Sequence, residues 1–130
     1  MARGLAGAGH WRSRHEPVRR REIRKALGEA LHARVGRFYP RAVGNVEKVT
    51  PHVQAFVKAV RNEPGCVAFS FAWDVLEPGM LRINEVFENE EALVAHRTYP
   101  HVLEWRKVQA EHGFNGRELS KYEISNVTKL

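Results

Sequence analysis

The sequence predicts an α+β fold of the ferredoxin-like type, in which a four-stranded antiparallel sheet carries its helices on one side. Three observations predict it. Residues 66–75 (CVAFSFAWDV) and 80–87 (MLRINEVF) alternate their side chains about Glu77-Pro78-Gly79, which makes them a hairpin. One helical pattern precedes the hairpin and a pair of short ones follows it. Weaker strand signals stand at either end, so the order is βαββαβ.

Each element has its own justification. In LHARVGRFY, residues 31–39, Leu31, Ala33 and Val35 alternate with His32, Arg34 and Gly36, and Pro40 ends the strand. A loop is expected from Pro40 to Val49. Thr50 can cap a helix, and Pro51 suits the first helical position, where a missing N–H costs nothing. Val53, Phe56, Val57 and Val60 then recur at helical spacing until Asn62-Glu63-Pro64-Gly65 stops the helix.

In the first hairpin strand Val67, Phe69, Phe71, Trp73 and Val75 share one face, and Ala68, Ser70, Ala72 and Asp74 share the other. Pro78 and Gly79 stand in the order that a type II turn favours. On the return strand Leu81, Ile83, Glu85 and Phe87 share a face, opposite Arg82, Asn84 and Val86. Asn89 caps a short helix with Glu90 and Glu91 in its first turn, where the dipole favours acids. That helix runs through Ala92, Leu93 and His96. Pro100 breaks it and starts another, with Val102, Trp105 and Val108 on one face and Gly113 at its end. Residues 117–127 (RELSKYEISNV) give a last, weaker strand. Helices on one side leave the other sheet face apolar and open, so a homodimer is expected to cover it.

The charge is unevenly placed. The formal net charge of the 130 residues is +6, yet residues 1–25 hold eight basic and two acidic residues, and the rest of the chain holds thirteen of each. The expected organisation is therefore a basic leader over 1–30, partly disordered or helical, and one domain over 31–130. The leader carries the whole excess and says little about the domain's ligand. It has no apolar core of a secretory signal, and no interleaved aromatics of a single-strand binding groove. Nucleic acid is not an expected partner. No apolar run is long enough to cross a bilayer, so no membrane partner is expected either. One cysteine, Cys66, excludes an intrachain disulfide and suits a reducing compartment, the cytoplasm.

The stretch from Glu63 to Trp105 resembles the antibiotic-biosynthesis-monooxygenase (quinol-monooxygenase-like) family. The matching pieces are Glu63-Pro64-Gly65-Cys66, Glu85-Val86-Phe87-Glu88, Glu91-Ala92-Leu93 with His96, and Pro100-His101 with Trp105. The βαββαβ order fits over residues 31–126. The resemblance implies a dimeric α/β barrel with a pocket between sheet and helices. It also implies oxidation of a small aromatic, phenolic or quinol substrate by O₂ with no metal, flavin or haem. Two features depart from the family: Phe87 stands where members often carry Trp, and the segment from Pro40 to Val49 is longer than usual.

Oxygenation without a cofactor needs a base, an apolar pocket for the anion, and donors where charge develops on oxygen. His96 is the candidate base, since histidine accepts a proton near neutral pH; a buried structural histidine is the alternative. Glu85, a carboxylate in an apolar stripe, needs a partner. It can orient a histidine, bind a substrate hydroxyl, or pair with an arginine across a dimer. Asn84 and Arg82 are oxyanion donors if their face meets the pocket, and dimer contacts if it does not. His101 is a candidate substrate contact or a helix-start residue. Phe69 and Trp105 are core bulk or a flat wall for an aromatic ligand. No metal site is expected, because His96 and His101 lie five apart across Pro100 rather than at the helical i, i+4 spacing. Competing readings are a haem-binding or haem-opening relative, a non-catalytic dimeric ligand-binding protein, and an RNA-binding domain. MLRINEVF lacks the base-stacking aromatics that the last would need.

Overall fold

The computed structural model describes residues 30–40 and 45–130. The leader expected over 1–30 lies outside them except for its last residue, Ala30. Strand β1 spans Leu31–Pro40, helix α1 Val46–Arg61, β2 Cys66–Trp73, β3 Leu81–Phe87, α2 Glu90–His96, α3 Pro100–Glu111 and β4 Phe114–Ile124. The four strands form one antiparallel sheet in the order β2-β3-β1-β4. The βαββαβ order and the ferredoxin-like α+β class are as the sequence predicts. No helix among the described residues is long and apolar enough to cross a membrane.

The core lies between the sheet and the helices. Phe38, Phe69, Leu81, Ile83 and Phe87 from the sheet meet Val49, Val53, Phe56 and Val60 of α1, Leu93 of α2, and Val102 and Trp105 of α3. Phe87, Val49, Val60 and Leu93 are fully buried, and each such side chain contributes roughly 1.5–3 kcal/mol of transfer free energy. Aromatic rings dominate the centre. Phe56 stacks on Trp105 with centroids 5.2 Å apart, and Phe38 meets Trp105 and Phe71 edge-on at 6.0 and 5.9 Å.

Helix α1 begins at Val46, earlier than Thr50-Pro51 predicted. Thr50 does not cap it. Its hydroxyl donates to Val46 O at 2.6 Å, and Pro51 sits within the helix. Asn45 precedes the helix and ties it to the end of α3, its Nδ2 donating to His112 O at 3.1 Å. That tertiary anchor outweighs the local signal at Thr50. The hairpin turn is as expected: Met80 N–H donates to Glu77 O at 3.0 Å across Pro78, with Gly79 at φ 81°. The same geometry recurs where α1 meets β2. There Cys66 N–H donates to Glu63 O at 3.3 Å across Pro64, with Gly65 at φ 81°.

Two assignments of side chains to faces change. A β-bulge separates Cys66, opposite Phe87, from Ala68, opposite Val86. The extra residue, Val67, is displaced to the open face beside Leu31, Val86 and Ile124. Strand β2 also stops at Trp73, so Val75 is exposed. Asp74 ends it by accepting from the N–H groups of Leu76 and Glu77, both at 2.8 Å. Strand β4 runs from Phe114 to Ile124 rather than over 117–127, because pairing with β1 starts directly after Gly113.

Candidate functional site

A cleft opens where α2 and α3 meet β1, β3 and β4. Position in the sheet explains its contents. Along β1, Leu31, Ala33 and Val35 take the open face, so Arg34 and Phe38 turn under the helices. Arg34 is 7% exposed and its guanidinium meets Glu85 Oε2 from Nε at 2.6 Å and from the terminal nitrogen at 2.5 Å. Two buried charges are tolerable only as such a pair. Glu85 therefore pairs with an arginine of its own chain.

His96 is the last residue of α2 and is 3% exposed. Its ring is packed by Phe87 and Phe69, with centroids at 5.1 and 5.9 Å. Its Nδ1 faces both oxygens of Glu63, at 2.9 and 3.0 Å. Glu63 stands in the turn between α1 and β2, and its side chain is 2% exposed. With Nδ1–H donating to the carboxylate, Nε2 is left as the acceptor. His96, Glu85 and Trp105 all line the cleft, and Phe38, Phe56 and Phe71 supply its apolar walls.

His101, the second residue of α3, also reaches Glu63, through Nε2, and its ring stacks on Tyr99 at 5.4 Å. It lines an adjoining groove with His52, Glu104 and Glu111, which shares Phe56 and Trp105 with the cleft. Phe69 lies in the core beneath His96. Arg82 and Asn84 are on the face away from the cleft. Arg82 Nε donates to Asp74 at 2.7 Å, and Asn84 lines a shallow groove with Val35 and Tyr122. The structure thus unites His96, Glu85 and Trp105, sets His101 one residue behind them through Glu63, and leaves Arg82 and Asn84 apart.

Glu63 and Arg34 were not among the sequence candidates. Glu63 reads as a helix-stop residue, and Arg34 as the solvent side of an alternating strand. The cluster also bears on metals. Glu63, His96 and His101 offer ligand atoms that all lie within 4.8 Å of one another. The two histidines come from different helices, so i, i+4 spacing does not apply to them. Two imidazoles and one carboxylate suit a first-row divalent ion. Hydrogen bonds from both rings to one carboxylate account for the same arrangement.

The antibiotic biosynthesis monooxygenase model matches residues 32–108, which include β1 from His32 onward, both ends of the Glu63–His96 contact, and Trp105 and Arg106 of α3. The chain belongs to the antibiotic biosynthesis monooxygenase family. An uncharacterized protein of Synechocystis sp. is 30% identical over 77 residues, covering 59% of this chain and 52% of that protein. The chain thus spans about half the length of that relative. Among solved structures, a conserved protein from Methanosarcina mazei superposes with TM-score 0.68 at 16% identity, covering 75% of this chain and 96% of that one. A protein from Deinococcus radiodurans, titled as a candidate antibiotic biosynthesis monooxygenase, gives 0.68 at 18% identity, with coverage of 77% and 97%. One from Nitrosomonas europaea, similarly titled, gives 0.67 at 17%, with coverage of 72% and 88%. Identities this low show the shared fold.

Proposed function

We propose that this family member oxidises a small phenolic or quinol substrate with O₂ in the cleft, with His96 as the base. The carrying observation is the buried Glu63–His96 contact at the cleft wall. Glu63 fixes the ring's orientation and tautomer, and leaves Nε2 to take the phenolic proton. The phenolate, held among Phe38, Phe56 and Phe71, is electron-rich enough to reduce O₂. One oxygen atom enters the ring and its C–H becomes C=O; the other oxygen leaves as water, carrying the two displaced hydrogens. The quinone and water balance the phenol and O₂. Trp105 Nε1–H is a donor for oxygen as charge develops there. The test is O₂ uptake by the full chain with an electron-rich naphthol, followed on an oxygen electrode. His96→Ala is expected to lower the rate by roughly 10²–10⁴-fold, the usual worth of a positioned base. Equal rates in the two proteins would sink the reading.

The working unit in this reading is a homodimer. Leu31, Val67, Val86 and Ile124 form an apolar cluster on the face away from the helices, and Val35 and Tyr122 beside it are about half exposed. Val35→Asp is expected to shift the sedimentation mass from two chains to one while leaving the fold intact. The cytoplasm fits this reading, since the one cysteine is a buried residue at the start of β2.

A further inference from the structure

The cleft beside His96 carries more positive charge than its carboxylates balance. Arg34, Arg97, Arg106 and Arg117 all line it, with Glu85 as the facing acid. Arg34 is already bound to Glu85. Among the described residues, Arg97, Arg106 and Arg117 take part in no ion pair. They come from three elements: Arg97 caps the end of α2, Arg106 lies on α3 and Arg117 on β4. Their convergence is made by the fold and is not the run of one helix face. They also act on one another. Partial desolvation against the cleft wall first, and then repulsion from Arg34 and Arg106, holds Arg117 below the ordinary guanidinium range, against the opposing pull of Glu85.

A second, independent feature points the same way. Trp105 is 4% exposed and lines this cleft, and its buried Nε1–H has no acceptor among the described residues. A buried donor without a partner calls for an explanation, and a ligand oxygen supplies one. Phe38, Phe56 and Phe71 offer flat apolar walls next to it.

We infer that the cleft takes an aromatic acid, its ring among the phenylalanines, its anionic group on Arg97, Arg106 and Arg117, and an oxygen accepting from Trp105. This names the substrate class of the site proposed above and rests on that cleft being the ligand site. The enclosed space is about 40 Å³, room for a water or two. The three arginines are exposed at its rim, where they meet the acid, and a ring enters only as the aromatic walls beneath them part. A guanidinium fork matches a carboxylate in two parallel bonds, which a neutral amide cannot match in charge.

The test is calorimetric titration of the full chain with 2-naphthoate and with its neutral isostere, 2-naphthamide. The acid is expected to bind about tenfold or more tightly than the amide, with a preference that falls as salt rises. Arg106→Gln/Arg117→Gln is expected to remove that preference by weakening acid binding far more than amide binding, while the paired Lys variant restores part of it. Equal affinities, an unaltered acid preference in the Gln variant, or no binding of either probe would overturn the inference. Absence of an acid preference together with His96-dependent consumption of a neutral naphthol would overturn the anion site and leave the base in place. Arginine-dependent acid binding with no consumption of acidic or neutral naphthols would do the reverse.

Discussion

Glu63 grips His96 with both oxygens of one carboxylate, 2.9 and 3.0 Å from Nδ1, although the two residues are 33 apart in sequence. The turn between α1 and β2 thereby sets the direction of a ring at the end of α2. If His96 acts as a base, Glu63 is its positioning residue. Glu63→Gln keeps the size and one hydrogen bond but can present an N–H to Nδ1 and select the wrong tautomer. We expect kcat to fall on the order of tenfold to a hundredfold with KM nearly unchanged. Steady-state oxygen uptake separates the two constants, and an equal loss in Glu63→Asp and Glu63→Gln would contradict a tautomer effect.

Arg34 and Glu85 test the buried pair. Both side chains are under a tenth exposed. Glu85→Ala leaves a buried guanidinium without its counter-charge and is expected to cost about 3 kcal/mol or more in urea unfolding. Arg34→Met/Glu85→Leu removes both charges and should recover most of that loss. A double variant no better than the single one would show that the pair is not what the site requires.

Gly36 tests the closeness of β1 to β4. A Cβ at this position would lie 1.8 Å from Glu118 O and 2.7 Å from Leu119 Cδ2. The clash is with backbone, which cannot rotate away. Gly36→Ala is expected to destabilise the chain by about 2 kcal/mol, read as a lower thermal midpoint. Strands β1 and β4 would also part there, so amide exchange in β4 should quicken.

Asp74 gives the fold a pH signature. The hydrogen bond from Arg82, with two more from the N–H groups of Glu77 and Leu76, holds its carboxyl down at about 2, against an ordinary 3.8. A depressed carboxyl stabilises the fold fully above its unfolded value and loses that contribution as pH falls towards the folded one. The stability gap between the native chain and Asp74→Ala should therefore be constant above about pH 4 and narrow between pH 4 and 2. A gap that widened on acidification would contradict this.

The sequence carried the fold well because the hairpin strands alternate strictly and the two Pro-Gly turns declare themselves. It carried the site less well, for a physical reason. An alternating strand says which residues share a face, and apolar residues are normally taken as the inward set. In β1 the apolar set, Leu31, Ala33 and Val35, faces away from the helices, and the polar set carrying Arg34 faces the core side. The buried Arg34–Glu85 pair reverses the usual inference by placing charge inside. Glu63 was hidden differently. Its role depends on Gly65 turning the chain at φ 81° so that the carboxylate meets two histidines from other helices, a relation with no local periodicity. His96, Glu85 and Trp105 were legible because each breaks or anchors a pattern on its own element.

The bulge at Val67 gives the chain a particular tolerance to length change. A sheet counts in twos, so losing or gaining one residue inverts every side chain beyond it. The extra residue in β2 lets Cys66 and Phe69, three apart, face the same way. It uncouples the phase of the Glu63 turn from the phase of the aromatic wall that follows. Removing Val67 would leave Cys66 and Phe69 two apart in regular alternation, so that Phe69 and Phe71 still face the helices. Two-residue changes on the far side of the bulge would keep parity. A single-residue change in this strand is therefore tolerated at the bulge, while changes beyond it should come in pairs of residues.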